Sequence, residues 1–374
     1  MNRAYRYRIY PDVKQKEQLE KTFGCCRYVY NAVLDLQKKR YSEGEKYLSK
    51  IKANNWCNRE LKVSNLWLKE VDKFALTNTI FALDIGFKRF FDKTGGYPKY
   101  KSKKRSKNSY TTNCTNGNIC VNENSIKLPK LGKVKAVIHR NAPKEWVLKS
   151  ATVTKEHDGT YYCSILYEME NVITSEEKKT NKTKVIGLDY KSNGLYMDSE
   201  GKVCGSPKYY KRSMDILGKR QRKLKHKKIG SNNYYKQQKK IAKLYRHTSN
   251  QRKDFLHKES LSIAKTYDIV CVEDLNMRAM SNKGFGNGRA TLDNGYGMFI
   301  NMLEYKMEER GKNLVKVNKW YASSQICSSC GKQHKISLGS RIYRCECGMI
   351  IDRDKNAAIN IKNEGMRVLK EQTA

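Results

Sequence analysis

Two groups of residues in this chain have the types and spacing to do chemistry. Cys327, Cys330, Cys345 and Cys347 read C-x₂-C-x₁₄-C-x-C, close to the pattern of structural zinc sites, with the second pair tighter than usual. Four thiolates so spaced can enclose Zn²⁺ tetrahedrally and leave no open position for catalysis. Gly331 and Gly348 follow the two pairs, where knuckle turns need them. The alternative is four free buried thiols. His334 reads as a surface residue rather than a ligand, and the remaining cysteines have no such spacing. The second group is acidic. Asp189 and Glu273 each end a short apolar run, and Asp352 and Asp354 stand where a late helix begins. Each has an ordinary alternative: Asp189 can start the turn into Lys191, and Asp commonly caps helices. Asp354 is preferred as the functional carboxylate because Asp352 is the better-placed cap. Asp198 and Asp274 are outside candidates.

The elements that must position these groups follow from hydrophobic period. Residues 185–188 and 267–272 are apolar runs of buried-strand length. Turns at 191–194 and 199–202 fold the first run into an antiparallel meander. Residues 208–258 carry eighteen Lys and Arg against two acids, Asp215 and Asp254, on a helical sequence broken near Gly230. Two basic helices in a hairpin fit, and so many like charges repel unless an anion is bound. The glycine-rich residues 281–294 are expected to be mobile, 296–311 helical and 313–317 a strand. After Asp354, the residues Ala357, Ala358, Ile359 and Ile361 give the last helix a close-packing face. This order of strands, helices, strand and helix resembles the RNase H-like fold, in which the places held by Asp189, Glu273 and Asp354 converge at one edge of the central sheet. Three carboxylates there repel one another unless divalent cations lie between them. Two Mg²⁺ would bind a scissile phosphate, activate a water and stabilise the leaving oxygen, which describes a nuclease.

The N-terminal half reads differently. Tyr5, Tyr7 and Ile9 alternate with Arg6 and Arg8, a strand with one basic face ended by Pro11. Leu19, Phe23, Cys26, Tyr30 and Val33 recur at helical spacing, as do Phe74, Ile80, Phe81, Phe87 and Phe90, so residues 12–92 form a helical lobe whose aromatic stripes are core. In residues 95–112, Tyr97, Tyr100 and Tyr110 interleave with Lys99, Lys101, Lys103, Lys104, Arg105 and Lys107. Basic side chains can follow phosphates while tyrosines stack on bases, although a solvated basic loop has the same composition. Residues 119–167 read as short strands, with a hairpin turning at Asp158-Gly159. They could pair with the N-terminal strand as one split module, ended by a linker at 175–183.

Bulk composition narrows the function. The 374 residues carry 76 Lys and Arg against 37 Asp and Glu, a formal charge of +39, which implies a polyanionic partner, nucleic acid before a membrane surface. No apolar run approaches ~20 residues and the N-terminus lacks a signal-peptide core, so a cytoplasmic chain is expected. Twelve cysteines in a reducing compartment argue for metal ligands and buried thiols.

The residues RYRIYP, CRYVYN, GYPKYKSKKRSKNSYTT, GLDYKSNG, NQRKDFLHK, VEDLNM, GYGMFINMLEYK, SSQICSSCG and CGMIIDRDKNAAINIKNEG, in this order over nearly the whole chain, resemble the TnpB family of RNA-guided DNA endonucleases of bacterial insertion sequences, relatives of the type V CRISPR effectors. The resemblance implies an α/β multidomain protein. A RuvC-type nuclease would span 184–326 and 348–374, a zinc ribbon 327–347, a split β-rich wedge 1–11 and 93–174, and a helical recognition lobe 12–92. Asp189, Glu273 and Asp354 would hold two catalytic Mg²⁺, and the four cysteines a structural Zn²⁺. The partners would be a guide RNA from the transposon end and double-stranded DNA, bound by one copy of the chain, nucleoid-associated when on DNA. Base pairing would choose the target, while the protein reads a short flanking motif with Thr77 and Asn78. Besides the basic loop, Arg220, Arg222, Lys223, Arg246 and Arg252 are expected on nucleic acid. The alternatives are a nuclease-inactive regulator of transposition, which the intact acids disfavour, and a strand-joining DDE transposase, disfavoured by the order Asp, Glu, Asp.

Overall fold

Alternating burial of Tyr5, Tyr7 and Ile9 makes β1 (Asn2–Tyr10) a strand with one core face. It opens a computed structural model that describes residues 2–169, 183–282, 284, 288–337 and 340–373. The chain forms two units, residues 1–172 and 173–374. All but the last residue of the linker expected at 175–183 lies outside the described residues.

In the first unit, helices follow β1. α1 (Val13–Ser42) starts at a reciprocal cap between Asp12 and Gln15. α2 (Lys50–Trp56) continues through a π turn at Cys57–Leu61 into the short α3 (Lys62–Ser64). α4 (Lys73–Phe91) is capped by Asp72. Its core face is Ala75, Leu76, Thr79, Ile80, Leu83 and Phe87, so the expected stripe holds at Ile80 and Phe87 and not throughout. Phe74 and Phe81 lie one position off that face and are half-buried, and Phe90 is exposed at the helix end. The strands β2 (Asn108–Asn113), β3 (Cys120–Asn122), β4 (Ser125–Leu128), β5 (Gly132–Val137), β6 (Val147–Lys155) and β7 (Tyr161–Glu168) complete an antiparallel sheet in the order β2-β6-β7-β1-β5-β4-β3. β1 lies between β7 and β5, with Tyr7 opposite Cys163. The β6–β7 hairpin turns at Asp158-Gly159, where Gly159 has φ +84°.

The second unit is built on β8 (Val185–Tyr190), β9 (Tyr196–Asp198) and β10 (Val203–Cys204), followed by the basic helices α5 (Tyr209–Lys225) and α6 (Asn232–Thr266). Next come β11 (Ile269–Glu273), α7 (Met277–Met280), α8 (Gly288–Asn294), α9 (Tyr296–Glu308), β12 (Asn313–Val317), the small hairpin β13 (Ile342–Arg344) with β14 (Ile350–Asp352), and α10 (Arg353–Thr373). The main sheet has the order β10-β9-β8-β11-β12, with β8, β11 and β12 parallel and β9 antiparallel to β8. Ile186, Leu188, Val270 and Val272 pack with residues of α6 and α9, whereas Cys271, Val315 and Val317 pack with Ile361 of α10. Both faces are covered, which explains why the parallel strands read as unbroken apolar runs. Part of the glycine-rich stretch is ordered, contrary to expectation. α8 buries Thr291, Asp293 and Asn294, and Asp293 accepts from the Tyr210 and Lys211 N–H groups at the start of α5. Among the described residues, no helix is long and apolar enough to cross a membrane.

Candidate active site and metal centre

The parallel register sets Val272 beside Leu188, so the next residues, Glu273 and Asp189, leave adjacent strands at the same edge. The third carboxylate arrives on α10. Asp352 accepts from the N–H groups of Asp354 (2.9 Å) and Lys355 (3.1 Å) and caps the helix, leaving the Asp354 side chain available for other contacts. What lets α10 come so near is Gly187. A Cβ there would lie 2.1 Å from the Ala358 carbonyl and 2.7 Å from the Lys362 nitrogen, and one at Gly365 would lie 2.4 Å from Cys271 Sγ.

The three acids share one electrostatic site. Burial holds the Asp189 carboxyl well above its ordinary range, and the charges of Glu273 and Asp354 raise it further against the pull of Lys191 and Arg353. Burial also raises Glu273, opposed by a hydrogen bond donated by the Ser323 hydroxyl. Lys191 places Nζ 2.6 Å from Asp354 Oδ2. Tyr296 is buried beside this cluster, its O–H has no hydrogen-bond partner among the described residues, and burial with the charges of Asp189 and Glu273 raises its pKa. A carboxyl raised by two neighbouring carboxylate charges, with a buried tyrosine hydroxyl beside it, is an oxygen-rich setting that could take divalent cations with water. The outside candidates fall elsewhere: Asp198 accepts from the N–H groups of Glu200 and Lys202 in its own turn, and Asp274 is exposed beyond β11.

The four cysteine sulfurs lie within 4.8 Å of one another. Burial pushes the Cys327 thiol up, but the N–H groups of Cys330 and Ser329 outweigh it and bring it down to about 7, which favours the thiolate a zinc ion needs. Gly331 and Gly348 have φ of +76° and +89°, as knuckle turns require. His334 borders the cluster, with Nε2 3.4 Å from Cys345 Sγ, so it is more than a surface residue. α10 ties the two centres together. Asn356 donates to the Ile326 carbonyl (2.6 Å) and accepts from Ser328 N–H, while Asn360 donates to the carbonyls of Ser323 and Ile326.

The residues expected on nucleic acid divide into outward and inward groups. Lys99, Lys103, Lys104, Arg105, Arg222 and Lys223 are exposed, and Tyr97 keeps 40% of its surface open. Lys101 is instead half-buried over the Tyr30 ring (3.9 Å), and burial lowers its pKa. Arg220 donates to the Lys240 carbonyl between the basic helices, and Arg252 pairs with Asp293. Arg246 is half-buried. Lys101 and Arg252 are therefore tied to protein groups, whereas Arg220 makes its bond at the rim of the groove between the basic helices. Tyr110 is buried in the sheet core rather than free to stack. Thr77 donates to Asn54, and the Asn78 amide donates to Thr111 and Asn113, so both brace α4. Between α5 and α6 runs an open basic groove lined by Arg220, Lys223, Lys240, Lys243 and His247.

Residues 164–284 match the OrfB/IS605 family model described as a probable transposase, and residues 296–361 match a Cas12f1-like TNB domain. Residues 1–46 match a model described as a helix-turn-helix domain, although here they form β1 and one 30-residue helix. A Streptomyces pristinaespiralis protein named "Putative RNA-guided DNA endonuclease" is 31% identical over 373 residues, covering 98% of this chain and 90% of that one. The chain belongs to the TnpB family. A second relative, the Escherichia coli (strain K12) protein named "Putative RNA-guided DNA endonuclease InsQ", is 29% identical over 386 residues, covering 98% of this chain and 93% of that one. The Cas12f1 chain of a complex with sgRNA and target DNA superposes with a TM-score of 0.59 at 12% identity, over 97% of this chain and 99% of that one. That likeness is one of fold.

Several residues of the site escape sequence reasoning. Gly187, Tyr296, Ser323 and Lys191 stand inside the quoted motifs, but only the approach of α10 and the hydrogen bonds to the acids give them roles. Asn356 and Asn360 left a signal: two asparagines four apart on an otherwise apolar helix face imply buried partners.

Proposed function

We propose that this protein is an RNA-guided DNA endonuclease of an insertion sequence, cutting beside a short flanking motif by phosphodiester hydrolysis at Asp189, Glu273 and Asp354. The observation that carries this reading is that two parallel strand ends and one helix start bring Glu273 and Asp354 close enough to Asp189 for both charges to raise its carboxyl. The strand order, with β9 alone reversed among β8, β9, β11 and β12, supports an RNase H-like, RuvC-type domain, with residues 327–347 as an inserted zinc ribbon. Residues 1–11 and 93–174 would form the wedge, and 12–92 the recognition lobe.

Asp189, Glu273 and Asp354 would hold two Mg²⁺, which supply charge neutralisation at the scissile phosphate and a nucleophile at neutral pH. The protein's own contribution is positional. Ser323 fixes the orientation of Glu273, and Asp352 anchors the helix start that presents Asp354. Lys191 balances the Asp354 charge in the metal-free state. Tyr296 lies where its hydroxyl can donate to an oxygen entering the site. Four thiolates around Zn²⁺ would hold the loop containing Ser323 and Ile326 against α10. Lys99, Lys103, Lys104, Arg105, Arg222 and Lys223 would contact phosphates of the guide RNA or the target DNA.

Purifying the protein from cells that carry its native flanking DNA, then sequencing the nucleic acid that accompanies it, tests the guided part of this reading. A discrete RNA with a defined 3′ end is the expected result. Heterogeneous or absent nucleic acid would overturn it.

A further inference from the structure

Trp320 is the most exposed aromatic side chain described in the second unit, with 82% of its surface open. Tryptophan seldom stands so free, because its ring contributes more than most side chains when buried. Loose backbone does not account for it. The loop leaves β12 at Val317, which pairs with Glu273, and returns at Ser323, whose hydroxyl donates to the Glu273 carboxylate. Between these points Asn318 accepts from the N–H groups of Trp320 and Tyr321, both at 2.9 Å. Asn360 of α10 holds the Ser323 carbonyl at 2.8 Å, and Tyr321 packs into the core beneath. The fold therefore fixes an indole outward on a loop that begins and ends at an acid of the site. Lys319 adds a cation, its Nζ 5.1 Å from the ring centroid. A flat ring with a cation alongside matches a base and its phosphate.

We propose that Trp320 stacks on an unpaired base of the DNA strand lying across Asp189, Glu273 and Asp354, with Lys319 on the adjacent phosphate. The loop then sets which phosphate reaches the acids. This inference rests on the nuclease reading above, and it makes Trp320 a substrate-binding residue rather than part of the hydrolytic chemistry.

The test uses the full chain with its co-purifying RNA, in Ca²⁺ at about 0.2 M salt, titrated with a single-stranded 20-nucleotide DNA while tryptophan emission is followed. Trp56, Trp67 and Trp146 lie in the first unit and supply the background. Stacking should quench part of the wild-type emission, and that part should be missing from Trp320→Phe. Trp320→Ala should weaken binding about 5- to 150-fold, the range for one base-aromatic stack, whereas Trp320→Phe should recover most of the affinity. Heparin, an anion without bases, should bind without quenching. Wild-type affinity in Trp320→Ala, with the quench persisting, would overturn the proposal. So would a Trp320→Ala defect in self-association in place of one in DNA binding. The two readings fail separately. Cleavage surviving in Asp189→Ala would remove the acid site while leaving the fluorescence result intact, whereas a dead Asp189→Ala beside a normal Trp320→Ala would remove only the stack.

Discussion

Replacing Gly187 by Ala tests whether the close crossing of β8 and α10 sets the spacing of the acids. The added Cβ would sit 2.1 Å from the Ala358 carbonyl oxygen and within 3 Å of the Lys362 nitrogen and Cβ. The first two are backbone atoms, so no side-chain rotation relieves the contact. To reach an ordinary separation of ~3.4 Å, α10 must retreat from β8 by about 1 Å. Overpacking of this kind typically costs ~1–3 kcal/mol, which for a unit of this size lowers the melting temperature by roughly 2–12 °C. The functional cost should be larger than the structural one. Asp189 is two residues from Gly187 on the strand, and Asp354 begins the helix that must move, so the retreat separates one acid from another. A misplacement near 1 Å can reduce a rate ~10²-fold. We expect Gly187→Ala to cut a guide-matched plasmid about 100-fold more slowly, with its zinc retained and no acid altered. Gly365→Ala, where α10 crosses Cys271 of β11 about two turns beyond Ala358, should lower stability comparably but slow cutting less. A folded Gly187→Ala protein that cuts within about threefold of wild type would show that the β8–α10 crossing does not set the spacing of the acids.

Asp189→Asn should raise the melting temperature of the metal-free protein in EDTA while abolishing cleavage. Because folding raises the Asp189 and Glu273 pKa values, the native state binds more protons than the unfolded chain once pH passes their ordinary values of ~4. Metal-free stability then falls as pH climbs through that window, and it falls less in the Asn variant. Equal slopes of melting temperature against pH would contradict this. About one zinc per chain should survive dialysis, and Cys327→Ser should lower the melting temperature without altering the cleavage pattern; an unchanged melting curve would argue for free thiols. Nucleic-acid affinity should fall by ~10³-fold or more between ~50 and ~200 mM salt if six or more phosphates are neutralised, and a flat response would remove the basic-helix reading.

Much of the second unit was legible because its strands are covered on both faces. Unbroken apolar runs then end abruptly where the chain emerges, and the emerging residue is a carboxylate in both β8 and β11. The cysteine cluster was legible from spacing alone, since four ligands around one point constrain sequence strongly. In α4 the expected stripe holds at Ile80 and Phe87 but fails at Phe74 and Phe90. Ala75, Leu76, Thr79 and Leu83 hold that face together with Ile80 and Phe87, and ring size alone does not separate them from positions one residue away. Charge was an equally blunt guide. Arg220, Arg252 and Lys101 have the composition of phosphate contacts, yet a carbonyl, a carboxylate and a tyrosine ring of the protein engage them. Gly187 was invisible for another reason. A glycine in a strand is compatible with a bulge, a bend or a close approach, and only the position of α10 decides among them. The helical nature of residues 288–294 was hidden by the surrounding glycines, whereas its buried Asp293 supplies the cap that α5 otherwise lacks.

The most direct test of the account is cleavage of a guide-matched plasmid in Mg²⁺ by wild-type and Asp189→Ala complexes prepared with the same RNA. A linear product is expected with wild type and intact plasmid with the variant, at equal occupancy of the target. Equal cleavage by both would contradict the central claim that Asp189, Glu273 and Asp354 form the nuclease site.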